Sequence, residues 1–260
     1  MAQRQYLQLD PKQNLARQQL EHFANITDIQ AWSEVLTHYA ALKQAHPQQK
    51  VLLILDDAGQ CAYTAMHAGM GDDLYFDFDE SQDFQNLSAD ERVLVEQNFE
   101  LYAFNFRLQQ LQKPALQQDL TAFATKLVYD AADWQVLCEM NANPLPMMDQ
   151  EIQVKLFDAP SDALKLAAMP NGYFDCDLNP FENFALIQHL EQQYALEFMG
   201  IGAALLGFVK MPSFNPTNIP ALIADLCVVY HFDEQHQKAL AEHLSQQDYL
   251  ILSYTEALAE

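Results

Sequence analysis

The run NPFENFALIQHLEQQYALEFMGIGAALLGFV, residues 179 to 209, constrains the fold of this chain more than any other stretch. Asn179 stands where a helix N-cap belongs, Pro180 fills the first helical position, where its missing amide costs nothing, and Glu182 lies three residues after the cap. Phe181, Phe184, Ile187, Leu190 and Tyr194 then recur at three- and four-residue steps and make one apolar stripe. Two strand-like stretches follow, separated by glycines that permit a tight turn. A striped helix that runs straight into paired strands must lay its stripe on the sheet they build, which points to an α+β layer with helices on one face.

The neighbouring segments extend this pattern. EIQVKLFD before the run and DYLILSY near the chain's end read as strands, GYFDCD alternates as a further short strand, and helices are expected at about 217 to 229 and 234 to 246. In the first half, Asp10 and Pro11 open a helix to about residue 24. Thr27 or Asp28 caps a second helix, whose stripe holds Ile29, Trp32, Val35, Leu36, Tyr39 and Leu42. KVLLILDDAGQCAYTAM reads as a hairpin turning on Asp57, Ala58 and Gly59, and DDLYFDFDE as a third strand with one wet face. Ser88 and Glu91 form a capping box for a long helix that Pro114 closes; a helix over 116 to 128 and a strand over 133 to 140 follow. NANPLPMMDQ is the best linker in the chain, so the expected organisation is two α+β units, residues 1–148 and 149–260, each a small, mostly antiparallel sheet covered by helices.

The stretch NGYFDCDLNPFENFALIQHLEQQYALEFMGIGAALLGFV, with the proline-bounded helical segment after it and the strand DYLILSY, resembles the bacterial domain-of-unknown-function 4253 family over roughly the last hundred residues. In that family an NG-start segment leads into a helix, a GxGA-type turn and a closing strand; this chain has Leu252, Ser253, Tyr254 and Thr255 where the family favours tryptophans. The resemblance implies a fold and brings no activity with it.

Charge narrows the partners. The chain has 36 Asp and Glu against 13 Lys and Arg, a formal net charge of -23, yet half of its residues are hydrophobic, so it folds. Residues 56 to 100 and residues 156 to 260 each carry a net charge of -11. Such a surface repels nucleic acid and anionic lipid and favours basic partners. The N-terminus has no apolar core of a secretory signal, and the longest apolar run, residues 201 to 209, is too short to span a bilayer. Cys61, Cys138, Cys176 and Cys227 are widely spaced with no CxxC pair, so the expected compartment is the cytoplasm, with reduced thiols.

Candidate chemistry is sparse. Cys176 lies between Asp175 and Asp177, whose negative field raises rather than lowers a thiol pKa, and strand alternation places Phe174 and Cys176 in the core. Asp77, Asp79, Ser81 and Asp83 sit at the alternate positions of a calcium loop, but Gln82 replaces its glycine and Ser88 its closing glutamate, so a solvated acidic segment is the better reading. His231, His236 and His243 lack metal-site spacing and read as a solvated helix face, and the glycines of GIGAALLG do not spell a nucleotide-binding turn. No metal or other cofactor is expected.

The favoured expectation is an acidic binding protein that docks and inhibits a basic protein partner, as immunity proteins do for toxin nucleases. Asp72, Asp73, Tyr75, Asp77, Asp79, Glu80 and Asp83 are its expected contact residues, with Phe76, Phe78 and Phe84 as interleaved aromatics. The alternative is an enzyme or a small-ligand or metal-binding protein with a site between the two units near Asp175, Asp177 and His189; a nucleic-acid mimic would carry the same charge.

Overall fold

Strand Ile152–Phe157, the first of the chain's second half, is hydrogen-bonded between two strands of the first half, and this placement decides the architecture. The structure is a computed structural model that describes residues 1–71, 73–78, 84–124 and 126–258. Along the chain the elements are β1 (Gln3–Tyr6), α1 (Leu15–Glu21), β2 (Ala24–Thr27), α2 (Trp32–Ala45), β3 (Lys50–Ile54), α3 (Ala58–Ala68), α4 (Ala89–Gln97), α5 (Phe99–Gln110), α6 (Ala131–Ala142) and β4 (Ile152–Phe157). After them come α7 (Pro180–Tyr194), β5 (Leu196–Ile201), β6 (Leu205–Lys210), α8 (Ile219–Tyr230), α9 (Glu234–Gln246) and β7 (Tyr249–Ser253). The strands join one seven-stranded sheet in the order β1-β2-β4-β3-β5-β6-β7, antiparallel at every pairing except β3 with β5.

The α+β class and the mostly antiparallel pairing stand as the sequence suggested. Where the linker at 148 suggested two small sheets, however, β4 pairs Lys155 with Leu52 and Val154 with Ala24, so the strands of both halves form one sheet. Helices cover both of its faces rather than one: every residue of β5 and of β7 is buried, and alternate residues of a strand point to opposite faces. The parallel pairing is close. A Cβ on Gly200 would stand 2.8 Å from the Leu53 carbonyl oxygen and 2.9 Å from Leu55 Cδ2, so only glycine fits opposite β3 there.

Local chemistry explains the elements that differ from expectation. In place of the hairpin, β3 leads into α3, because the amides of Asp57 and Ala58 are capped by the Asp149 carboxylate at 3.1 and 3.0 Å and that of Gln60 by Asp57. Cys61, Thr64, Ala65 and Ala68 form its buried stripe. Residues 133 to 140 lie in a helix, α6, whose start is fixed by a reciprocal capping box of Asp130 and Asp133. The helix expected over 116 to 128 is replaced by two short 3-10 turns, Pro114–Leu116 and Leu120–Phe123, the second capped by Asp119. The Ser88 box forms as expected, but the long helix breaks at Asn98 into α4 and α5.

At the N-terminus Asp10 closes a turn on Lys12, and α1 starts only after Asn14. Likewise, α2 starts after Ala31, because Thr27 ends β2 and Asp28 is held at a positive φ of 56°. GYFDCD is a loop that leaves Phe174 and Cys176 exposed, not a strand with a buried face. Residues 73–78 form no strand either; Leu74 and Phe76 turn inward and Tyr75 outward.

Candidate functional site

Helix α3 presents two different faces. Cys61, Thr64, Ala65 and Ala68 are buried, while Tyr63, Met66 and Met70, at and just beyond its last turns, point to solvent. Beside them the rings form a ladder, Tyr63 to His67 at 4.4 Å, His67 to Tyr173 at 4.9 Å and Tyr173 to Phe174 at 5.3 Å between centroids. Tyr63, Met66, Met70, Tyr75, Tyr173 and Phe174 are each 46 to 60 % exposed, a concentration of large apolar side chains that folding alone does not require.

Below Tyr75, Phe76 centres an aromatic cluster with Phe84, Phe99, Tyr102 and Phe106 at 5.8 to 6.2 Å. Arg92 lies over the Phe78 ring at 5.6 Å. Of the expected contact residues, Tyr75 sits on this surface, with Asp73, exposed, and Asp77, half-buried, flanking it in the chain. Asp72, Asp79, Glu80 and Asp83 lie outside the described residues, as do Ser81 and Gln82 of the calcium-like spacing.

Between α1, α3, α5 and the 3-10 turn Ala163–Ala168 a cleft of about 520 Å³ opens beneath the same methionines and Tyr75. Its walls are largely apolar, and its polar part includes Arg107 of α5 and Lys155 of β4. Arg107 is only 8 % exposed; Nη1 donates to the Ala167 carbonyl at 3.2 Å and Nη2 to Glu100 at 3.0 Å, while Nε has no hydrogen-bond partner among the described residues. Lys155 donates from Nζ to the carbonyls of Leu20 and Glu21 at 3.2 and 2.7 Å, the free C-terminal end of α1. Burial pulls its pKa down, partly offset by Glu100 and Glu21.

The residues of the alternative site do not converge. His189 faces Asp225 of α8 at 2.7 Å, and Tyr194 donates to the same carboxylate oxygen. Against the upward push of burial, these two bonds hold the Asp225 carboxyl below the usual range. Asp177 lies elsewhere, near Lys126 and Glu256; burial pushes it up to about 6. Burial, Glu256 and Asp177 all raise the exposed Cys176 thiol, the opposite of an activated nucleophile. Cys61 is buried, accepts from Asn171 at 3.0 Å and is pushed up to about 12.

The histidines are likewise dispersed: His231 meets the Ala124 carbonyl, His236 faces Asp233 at 2.6 Å and His243 the Tyr249 carbonyl at 2.7 Å. Among the described residues no group of three or more His, Cys, Asp or Glu is placed to hold a metal ion, and no helix is long and apolar enough to cross a membrane.

Sequence reasoning missed Arg107 and Lys155, which no motif joins, and the outward face of α3, which a strand reading had hidden. The three-residue step from Tyr63 to Met66 and the four-residue step to Met70 carried that signal. No family model, no curated protein and no solved structure matches the chain.

Proposed function

We propose that the protein is an acidic binding protein that docks a basic protein partner on the surface formed by α3, Tyr75 and the Tyr173–Phe174 loop, and inhibits that partner by covering it. One observation carries this reading: half-exposed aromatic and methionine side chains are gathered on one surface, four of the six within the segment from 56 to 100, whose net charge is -11. Aromatic anchors supply the buried centre of an interface, methionines adapt their shape, and surrounding carboxylates steer a basic surface towards them. The protein then acts in the cytoplasm, in keeping with four cysteines that are all unpaired.

The test is affinity capture from the native host's lysate with the wild-type protein and with a Met66→Ser, Met70→Ser, Tyr75→Ser variant in parallel. A basic protein held by the wild type, released by salt and absent from the variant's eluate supports the reading. Equal capture by both proteins, or a partner without basic character, overturns it.

A further inference from the structure

We propose that the cleft over β4 binds a small monocarboxylate with an apolar body, the carboxylate meeting Arg107 and Lys155 and the body lying against the α3 wall. The inference concerns a small molecule and does not rest on the docking reading.

Cations are scarce in this protein, 13 in all, and two of them line one largely apolar cleft. Neither is fully used. Arg107 gives Nη2 to Glu100 and keeps a buried Nε with no partner among the described residues. A buried donor left unmet is costly, and an absent partner is one explanation for it. The Nε–Nη2 edge of a guanidinium is the fork that takes a carboxylate in two parallel bonds; here Glu100 holds Nη2, which leaves Nε as the unmet donor of that edge. Lys155 meets only main-chain oxygens at the end of α1, and among the described residues no carboxylate lies within 4 Å of its ammonium.

The charge balance selects the ligand's class. Two cations and two carboxylates, Glu100 and Glu21, line the cleft; Arg17, outside the lining, pairs with Glu21 at 2.9 Å, so the five groups together leave one positive charge. One positive charge matches a monoanion and leaves a phosphate dianion uncompensated inside a protein of net charge -23. The same overall charge gives an anion no long-range attraction, so affinity must come from apolar burial plus local pairing. The cleft provides that burial: Ala65, Met66, Met70, Phe76 and Met169 offer an apolar wall with flexible thioethers, and about 520 Å³ lies within the usual size of small-molecule sites.

Calorimetric titration of the full chain with decanoate, decanol and butanoate tests this. Decanoate should bind one to one, and decanol and butanoate each at least tenfold more weakly. Lys155→Met should abolish the preference for decanoate over decanol. Glu100→Gln, which removes the negative charge beside Arg107, should tighten decanoate binding about tenfold and leave decanol unchanged. Ala62→Trp, which adds an indole at an uncharged lining position, should remove binding of both, with circular dichroism confirming that each variant is folded. Equal binding of decanoate and decanol, no decanoate binding at millimolar concentration, or decanoate binding unchanged by Ala62→Trp overturns the proposal. No protein partner is present in these titrations, so their failure leaves the docking surface untouched.

Discussion

Lys165 donates from Nζ to the carbonyl oxygen of Phe198 at 2.7 Å, with none of its side chain reaching solvent. The ammonium also meets the Tyr39 hydroxyl at 2.7 Å, Glu197 at 3.3 Å and Asp162 at 2.8 Å; Tyr39 in turn donates to Glu197, which also pairs with Lys43. Four elements of the fold, α2, β3 through Lys50, the 3-10 turn after β4, and β5, are thereby fastened at one charged point. Burying these charges is expensive, and their mutual pairing is what makes the cost bearable.

Lys165→Met should therefore destabilise the protein far more than the loss of one surface ion pair. It keeps the stem's volume but leaves Glu197 and Asp162 short of their buried partner, and breaking a buried pair typically costs about 3–5 kcal/mol. Urea unfolding measures it. Pairing it with Glu197→Gln should recover part of the loss; a single-variant loss under about 1 kcal/mol would show that the network is better solvated than its geometry implies.

Asp56 makes stability depend on pH. Burial, with Asp149 and Asp57 nearby, pushes its carboxyl from the ordinary 3.8 up to about 7, against the amides of Ala203 and Ala204. Between those values the unfolded chain has released this proton and the folded chain still holds it, so the folded state binds more protons and stability falls as pH rises. Asp177, pushed up to about 6, acts in the same direction over the lower part of that window, whereas Asp162 and Asp225, held low, act in the opposite direction below it. Asp56→Asn removes one of these contributions alone. Its stability relative to wild type should rise steadily from pH 4.5 to pH 7.5 in parallel urea titrations; a flat difference would mean that Asp56 titrates normally.

Gly200→Ala tests the parallel junction of the sheet. Its added Cβ would press on the Leu53 carbonyl at 2.8 Å, a backbone atom that cannot retreat without loosening the β3–β5 ladder, and on Leu55, whose Cδ1 already stands 2.8 Å from where a Cβ on Gly207 would lie. Overpacking of this kind costs about 1–3 kcal/mol. A clear drop in melting temperature is the expected outcome, and a neutral variant would contradict the close approach.

These residues also show what the sequence can and cannot say. The starts of α4 and α7 are legible because their caps are local: Ser88 with Glu91, and Asn179 with Glu182, lie within one turn. The start of α6 was written just as plainly in Asp130 and Asp133, but the alternation in DWQVLCEM competed with it, although Trp134, Leu137, Met140 and Asn141 step by three, three and one along a helix. Helix α3 was hard to read, because its local cap, Asp57, is completed by Asp149 from a distant part of the chain, and its Ala and Gly residues blur the buried stripe, leaving only the outward steps of Tyr63, Met66 and Met70 to mark it. The single sheet was not legible, since nothing local in EIQVKLFD specifies Ala24 and Leu52 as neighbours. The same long-range pairing carries Lys155 to Arg107, so the cleft exists only in the fold.

The docking surface predicts a separation of stability from binding. Tyr75 and Met70 extend into solvent, so replacing either by alanine removes little buried contact and should change stability by no more than about 0.5 kcal/mol. At an interface the same side chains are anchors, and truncating one of them typically costs about 2 kcal/mol or more, over tenfold in affinity. The carboxylates act differently. Asp73→Asn should leave the dissociation rate almost unchanged and slow association, with the effect disappearing as salt screens the steering field. Stopped-flow mixing with the captured partner at low and high ionic strength separates the two roles. Loss of binding from Asp73→Asn through faster dissociation at all salt concentrations would place that carboxylate in a buried pair, and a Tyr75→Ala variant that binds like wild type would move the anchor away from this surface.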